Sequence, residues 1–323
     1  MERLFVYGTL MKGQRAYDLL ENSKYLGRAC LKGYKKLDLV YYPGIVKDKN
    51  SIVKGEVYEV DENIKERLDI YEGEGYLFKC VDAKIELDSK TMNVKVYELR
   101  VKLYTLKDIQ VDDMLSIESD YIDSALALSD EWLTYHENTG YKMYTYNGLY
   151  PLERSGIYKK DSIYTITIRT VKYELASYMS KVLANHYTET LKGLTVEKRI
   201  IPKRFIEEIY TLTPVIQKND NGYWKDNYSV EQYEQRLFIN AVKKYNAFTN
   251  SKLDEDFDLY TSIQFLNKKP VKFRYKGITL LGDKFDLKIA DNKKAQELAY
   301  FLIGTGICEM NSRGAGYCNY KYI

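Results

Sequence analysis

Histidine is the scarcest chemically versatile residue in this 323-residue chain, with two copies, His136 and His186. So small a supply disfavours a His-rich metal centre or a two-His zinc motif. Cysteine is nearly as sparse, with Cys30, Cys80, Cys308 and Cys318 in all. No pair forms CxxC, and a chain of this size needs no disulfide frame, so a reduced, cytoplasmic protein is expected. No run approaches the roughly 18 uninterrupted apolar residues of a membrane span. The opening MERLFVYGTL has neither a long apolar core nor a cleavage site, so no signal peptide is expected. Charge of one sign is lacking too: 49 Lys+Arg stand against 46 Asp+Glu, a net +3. That excludes a histone-like basic protein but leaves room for a basic groove on one domain.

Tyrosine, by contrast, is abundant at 33 copies, and 45% of the chain is hydrophobic. The length suits two or three domains with real cores, and the composition rules out intrinsic disorder. Residues 1–98 read as short strands and turns, with 17 basic and 17 acidic residues. Strands are predicted at 4–7, 37–42, 45–46, 51–60, 76–87 and 93–100. In 51–60, Val53, Gly55, Val57 and Glu59 alternate against Lys54, Glu56, Tyr58 and Val60. Helices are predicted at 17–23 and, capped by Asp61-Glu62, through Ile70.

From about residue 99 the rhythm changes. A strand at 99–106 precedes one helix running from Asp112-Asp113 through His136, with Ile117, Tyr121, Ile122, Ala125, Leu128 and Trp132 at helical spacing. Strands follow at 141–147 and 162–169, then a helix at 172–187 with His186 on its apolar stripe, which marks that histidine as structural. A second unit begins near 205–216, continues with a helix at 231–246 and strands at 272–281 and 284–289, and ends in a helix at 293–303 with a glycine-rich tail. Two successive strand–helix–strand patterns fit two α+β sandwiches in tandem.

Val6-Tyr7-Gly8-Thr9-Leu10 is a strand ending in a glycine turn, whose successive N–H groups can cradle a small carboxylate. Leu68-Asp69-Ile70-Tyr71-Glu72-Gly73 places a carboxylate at a helix end beside apolar residues, where desolvation favours a proton-shuttling group. Tyr42-Pro43-Gly44-Ile45 and Gly55-Glu56-Val57-Tyr58 lie between them. Together and in this order, these motifs resemble the γ-glutamylcyclotransferase-like (AIG2-like) family over roughly residues 3–98. The resemblance implies a small β-barrel in which Tyr7, Gly8, Thr9 and Leu10 hold the α-carboxylate and amine of a γ-glutamyl small molecule. It also implies that Glu72 shuttles a proton as 5-oxoproline is released. Where many members continue with Tyr-x-Arg, this chain has Phe78-Lys79-Cys80, which leaves a binding-only domain open.

The last segment, Phe265 to Ile323, carries eleven Lys/Arg against five Asp/Glu. Lys268, Lys269, Lys272, Arg274 and Lys276 interleave with Phe273 and Tyr275, a pattern that suits a phosphate backbone with unstacked bases. The tail Leu302-Ile303-Gly304-Thr305-Gly306-Ile307, followed by Asn311-Ser312-Arg313-Gly314-Ala315-Gly316-Tyr317, suggests close backbone approach to a polyanion. This tail resembles the glycine-rich loop of the Cas6 family of CRISPR repeat-RNA endoribonucleases, within the RAMP superfamily. Thr213-Pro214-Val215, the Asn240…Lys244-Tyr245 helix and Leu133-Thr134-Tyr135-His136 agree with that family in order.

The combined resemblance implies an α+β chain: a γ-glutamylcyclotransferase-like β-barrel (1–98), then two ferredoxin-like (RRM-like) folds at 99–208 and 209–323. It implies metal-independent cleavage of a repeat hairpin RNA with no cofactor, and other CRISPR effector subunits as candidate partners. His136 takes the catalytic place, since a base must deprotonate the 2′-OH and an acid must serve the 5′-oxygen. Lys142, Tyr141 and Tyr146 are nearby candidates for charge or proton roles. Lys268, Lys269, Lys272, Arg274, Lys276, Gly304, Gly306, Ser312, Arg313, Gly314 and Gly316 are the RNA-binding candidates. Two other readings stay open: a γ-glutamyl enzyme carrying an RNA-sensing module, and a silent RNA-binding protein of a defence system.

Overall fold

The computed structural model describes every residue except 1, 39–42, 74–80, 82, 84, 88–93, 220, 221 and 276. Tyr42, Lys276 and the segment Phe78-Lys79-Cys80 therefore lie outside the described residues. The chain forms two compact units, Met1–Asn93 and Val94–Ile323.

The first unit is built on one antiparallel sheet. β1 (Glu2–Val6) and β2 (Lys24–Asp38) flank β3 (Pro43–Val60), and β4 (Ile85–Leu87) adds to β2, giving the order β1-β3-β2-β4. The expected alternation in 51–60 gives way to a stretch buried on both faces: Gly55, Glu56, Val57 and Tyr58 are all covered. Gly55 is required there, because a Cβ would sit 2.3 Å from the Val6 carbonyl oxygen of the paired strand. Helix α1 (Glu62–Glu72) is capped by the Asp61 side chain on the Ile64 N–H, and Gly73 ends it in the left-handed region. The predicted helix at 17–23 is only a single 3-10 turn, Tyr17–Leu20. Val6, Leu10, Ala16, Leu20, Tyr58, Val60 and Leu68 form the core.

The second unit contains two successive βαββαβ repeats. The first runs β5 (Val96–Thr105), α2 (Met114–Leu126), α3 (Asp130–Glu137), β7 (Tyr144–Tyr146), β9 (Ile163–Thr170), α4 (Tyr173–Val182) and β10 (Leu191–Ile201). A short pair, β6 (Ile109–Gln110) with β8 (Ile157–Tyr158), is inserted. The sheet order is β10-β5-β9-β7, the ferredoxin-like arrangement in which the fourth strand lies beside the first. The second repeat runs β11 (Ile206–Thr211), α5 (Val230–Thr249), β12 (Tyr260–Phe265), β15 (Phe285–Ile289), α6 (Lys293–Thr305) and β16 (Cys318–Tyr322), in the order β12-β15-β11-β16. Its insertion is the hairpin β13 (Val271–Tyr275) and β14 (Ile278–Gly282).

Two sequence expectations change here. The helix expected through His136 is broken at 127–129, and Leu128 is 67% exposed instead of lying on the stripe. The strand expected at 272–281 is a hairpin turning at Gly277, whose φ of +77° suits glycine. Helix α4 ends at Val182, so His186 follows it, hydrogen-bonded to Ser124 Oγ (2.7 Å) with its ring tilted against that of Tyr121. Helix α6 is buried throughout its second half, from Leu298 to Thr305, and joins the core of the second sheet to Val94, Val96 and Val171 of the first.

A polar network also ties the two sheets. Glu98 is buried, takes Arg169 Nε at 2.8 Å and Arg199 Nη2 at 2.6 Å, and Arg169 reaches on to the Cys318 carbonyl oxygen (2.7 Å). Paired cations hold its carboxyl below the ordinary range despite burial.

Candidate functional site

In the first unit, the Tyr7–Leu10 turn follows β1. Gly8 has φ +93°, and a Cβ there would come within 2.3 Å of Pro43 Cγ, so the turn and the Pro43-Gly44 corner interlock only with glycine present. Tyr7, Gly8 and Thr9 are half-buried and Leu10 is buried. The turn is pinned from below by Glu56, a residue that sequence reasoning quoted only as part of a strand. Glu56 is 4% exposed, and its Oε2 accepts from the Lys12 backbone N–H (2.8 Å) and the Tyr58 hydroxyl (2.9 Å). Glu72, at the last turn of α1, is half-buried, and desolvation pushes its carboxyl above the ordinary range. Burial and the Glu72 charge both raise the Tyr7 phenol, so these two groups lie within electrostatic reach of each other.

In the second unit, the sequence motifs converge on a different arrangement. His136 sits in the last turn of α3. Its Nδ1 is 3.4 Å from Asp123 Oδ1, on α2. Its Nε2 is 3.4 Å from Arg313 Nη2, which belongs to the short 3-10 turn Asn311–Arg313 of the glycine-rich tail. Arg313 also bonds Ser119 Oγ (2.9 Å) and the other Asp123 oxygen, and it lies over the Tyr275 ring at 5.1 Å. One carboxylate thus joins both the imidazole and the guanidinium. Arg313 and Asp123 are each about four-fifths buried, so this charge pair is less screened than a surface pair would be.

Lys142 lies close by. Its ammonium donates to the carbonyl oxygens of Tyr135 (2.5 Å) and Asn138. Burial and the nearby Arg313 charge pull its pKa below the usual lysine value. Tyr141 is 38% exposed, and its phenol is raised by burial. Tyr146 lies behind them, next to Ser119 and within electrostatic reach of Asp123, but it is fully buried in the core of the first repeat, and burial lifts its phenol far above the ordinary range. Beside it Glu118 is also fully buried, with its carboxyl pushed well up by desolvation.

The RNA-binding candidates divide. Lys268, Lys269 and Lys272 are exposed at the start of the β13–β14 hairpin. Arg274 is exposed but paired to Asp112 at 2.8 Å. Phe273 points the other way, into a small core with Ile216 and Ala315, so it is not a base-stacking platform. The four tail glycines are buried. Gly304 packs against Val96 and Val171; Gly306 and Gly316 leave room for the Asn311 side chain; Gly314 sits under Leu115 and Tyr146. Only Ser312 and Arg313 of the tail candidates reach the surface, and only in part. Asp123 went unnoticed in the sequence because a lone aspartate within a helix carries no signal by itself. Among the described residues, no group of three or more His, Cys, Asp or Glu could hold a metal ion, and no helix is long and apolar enough to cross a membrane.

Comparison with known proteins agrees with this division. Residues 4–120 match the family model described as gamma-glutamyl cyclotransferase, AIG2-like, and residues 195–320 match that of CRISPR associated protein Cas6, C-terminal. The first match runs past the first compact unit into β5 and α2. A putative gamma-glutamylcyclotransferase of Methanocaldococcus jannaschii is 38% identical over 91 residues, covering 28% of this chain and 76% of the relative. A putative gamma-glutamylcyclotransferase of Vibrio cholerae is 37% identical over 106 residues, covering 32% of this chain and 90% of the relative. Among solved structures, one titled CRISPR associated protein Cas6 superposes with a TM-score of 0.53 at 19% identity, covering 70% of this chain and 99% of that one. A Cas6-related protein from Pyrococcus furiosus gives 0.54 at 16% identity, covering 70% and 98%. At these identities the likeness shows the fold.

Proposed function

The chain belongs, through its first unit, to the gamma-glutamyl cyclotransferase, AIG2-like family, and its second unit is Cas6-like; on that premise we propose that it is an endoribonuclease acting on hairpin RNA of the CRISPR-repeat kind. The observation that carries the reading is the meeting of His136, Asp123 and Arg313, from α3, α2 and the tail, at one half-buried point. His136 Nε2 takes the proton of the 2′-OH, and the oxygen attacks the adjacent phosphorus. Asp123 orients the ring and favours the imidazolium that forms. Arg313 turns from His136 to the phosphate and stabilises its growing charge. Lys142, whose proton is loosened by burial, supplies it to the departing 5′-oxygen. The products are a 2′,3′-cyclic phosphate and a 5′-hydroxyl, and no step requires a metal. Exposed Lys268, Lys269 and Lys272 hold the phosphate backbone at the hairpin. Partner subunits of a CRISPR assembly fit the same reading.

The test is cleavage of labelled hairpin RNA in EDTA. His136→Ala is expected to lower the single-turnover rate by about 100-fold or more while RNA affinity stays within a few-fold. Cleavage that survives the substitution removes His136 from the role.

A second activity is favoured by one observation in the first unit: Glu72 is desolvated beside the Tyr7–Leu10 turn. Such a group can move a proton as an α-amine attacks a γ-glutamyl carbonyl. Release of 5-oxoproline from a γ-glutamyl amine, lost in Glu72→Gln, would establish this; no release from a panel of such amines would leave the unit a binding domain.

A further inference from the structure

We infer that Lys244, buried in the middle of α5, is a positioning residue that holds the tail turn so that Arg313 stands against His136; the inference rests on the endoribonuclease reading. Lys244 is 1% exposed, and no carboxylate among the described residues is bonded to it. Its ammonium instead donates to three acceptors on one short stretch of the tail: the Gly306 carbonyl oxygen (3.0 Å), the Cys308 carbonyl oxygen (2.9 Å) and Asn311 Oδ1 (2.5 Å). An ammonium has three donors, and all three are used. Burial pulls it down to about 8, while the three acceptors around it suit the protonated, three-donor form.

Asn311 passes the constraint on. Its Nδ2 donates to the Ile307 carbonyl oxygen (2.9 Å) and the Ala315 carbonyl oxygen (3.1 Å), closing the turn on both sides. The amide orientation is fixed by this network, since only the oxygen can face an ammonium. Gly306 and Gly316 make it sterically feasible: a Cβ on either would lie within 3.0 Å of Asn311 Nδ2. The next two residues are Ser312 and Arg313. The line of contact therefore runs from α5 through Lys244 and Asn311 to Arg313, and from there to Asp123 and His136. A buried ammonium is costly, and its site is explained by what it holds in place.

The presence of only two histidines makes the test direct. In the full chain, labelled at histidine, the ring signals of His136 are identified by their loss in His136→Ala. Lys244→Met is expected to shift the His136 signals and leave those of His186 in place. It is also expected to lower single-turnover cleavage by about tenfold or more. In an Arg313→Ala background, Lys244→Met should cost less than about a further twofold, because the residue it acts through is gone. An unmoved His136, or a loss that adds in full to that of Arg313→Ala, overturns the inference. Should Lys244→Met not fold, Asn311→Ala cuts the same line from the tail side and is judged by the same readouts. If the wild-type chain cleaves no RNA, the endoribonuclease reading fails, and the His136 signals alone decide whether Lys244 sets Arg313.

Discussion

The chain uses glycine-rich turns in two places, and they work in opposite ways. In the first unit, Gly8 lies in a half-buried turn with Tyr7 and Thr9, closed by Pro43 and supported by Glu56 beneath. Its backbone remains a candidate cradle for a small carboxylate. In the second unit, Gly304, Gly306, Gly314 and Gly316 are all buried, and each makes room for a neighbouring side chain or backbone atom. Of the candidates in that tail, the two that reach the surface in part are Ser312 and Arg313, neither of them glycine. Glycine abundance alone does not tell a ligand cradle from a packing solution; what a Cβ would meet at each position does.

Four variants would sharpen or break that contrast. Gly316→Ala should have the largest effect. A Cβ would lie 2.1 Å from the Ile307 carbonyl oxygen, in a residue with φ +65°, so a loss of about 3 kcal/mol or more in denaturant unfolding is expected. A loss under about 1 kcal/mol would mean that the tail is loosely held. Gly8→Ala meets the Pro43 ring rather than backbone, so about 2 kcal/mol is expected, read as faster amide exchange confined to the first unit, with hairpin RNA affinity unchanged. Weakened RNA binding would contradict the division of labour between the units.

Glu118→Gln probes the core behind the tail. Burial raises the folded pKa of Glu118 above its unfolded value of about 4.5. Its contribution is therefore intact below pH 4.5 and is lost as pH rises from there through the folded value. The glutamine variant should match wild type near pH 4.5 and exceed it by about 1–2 kcal/mol at pH 8, measured by thermal unfolding across that range. A gain that does not grow with pH would show that Glu118 is charged and paired. The smallest effect concerns the hairpin. Replacing Lys268, Lys269 and Lys272 by Ala should flatten the salt dependence of RNA binding by about 2 in log–log slope. An unchanged slope would place the RNA elsewhere.

Much of this architecture was readable in the sequence where the pattern is local. The alternation in SIYTITIR marks β9, Asp61 marks the start of α1, and the helices expected at 231–246 and 293–303 are α5 and α6, each longer by a few residues. Strands β10 and β16 escaped because they lie at sheet edges: LKGLTVEKRII carries many exposed polar residues, and CNYKY has no apolar–polar alternation to mark it. At the candidate site, His136 and Arg313 were legible from their motifs. Asp123, Lys244 and Glu56 were not: Asp123 stands 190 residues from the arginine it binds, Lys244 is 67 from Asn311, and Glu56 is 44 from Lys12. Such pairings are created by the tertiary fold, and no short window of sequence contains both members. Tyr146 and Phe273 failed in the other direction. Each looked chemically useful beside basic neighbours, yet each is spent on a core.

The central claim is that His136 takes the proton of the RNA's own 2′-hydroxyl, with Lys142 serving the departing 5′-oxygen and Arg313 the charge on the phosphate. The direct measurement is the mass of the RNA fragments that the full wild-type chain releases from a hairpin substrate in EDTA. The account requires an upstream fragment ending in a 2′,3′-cyclic phosphate and a downstream fragment beginning with a 5′-hydroxyl, and no cleavage of a substrate bearing 2′-deoxy at the cut position. Fragments with a 3′-hydroxyl and a 5′-phosphate, or cutting of the deoxy substrate, would contradict it.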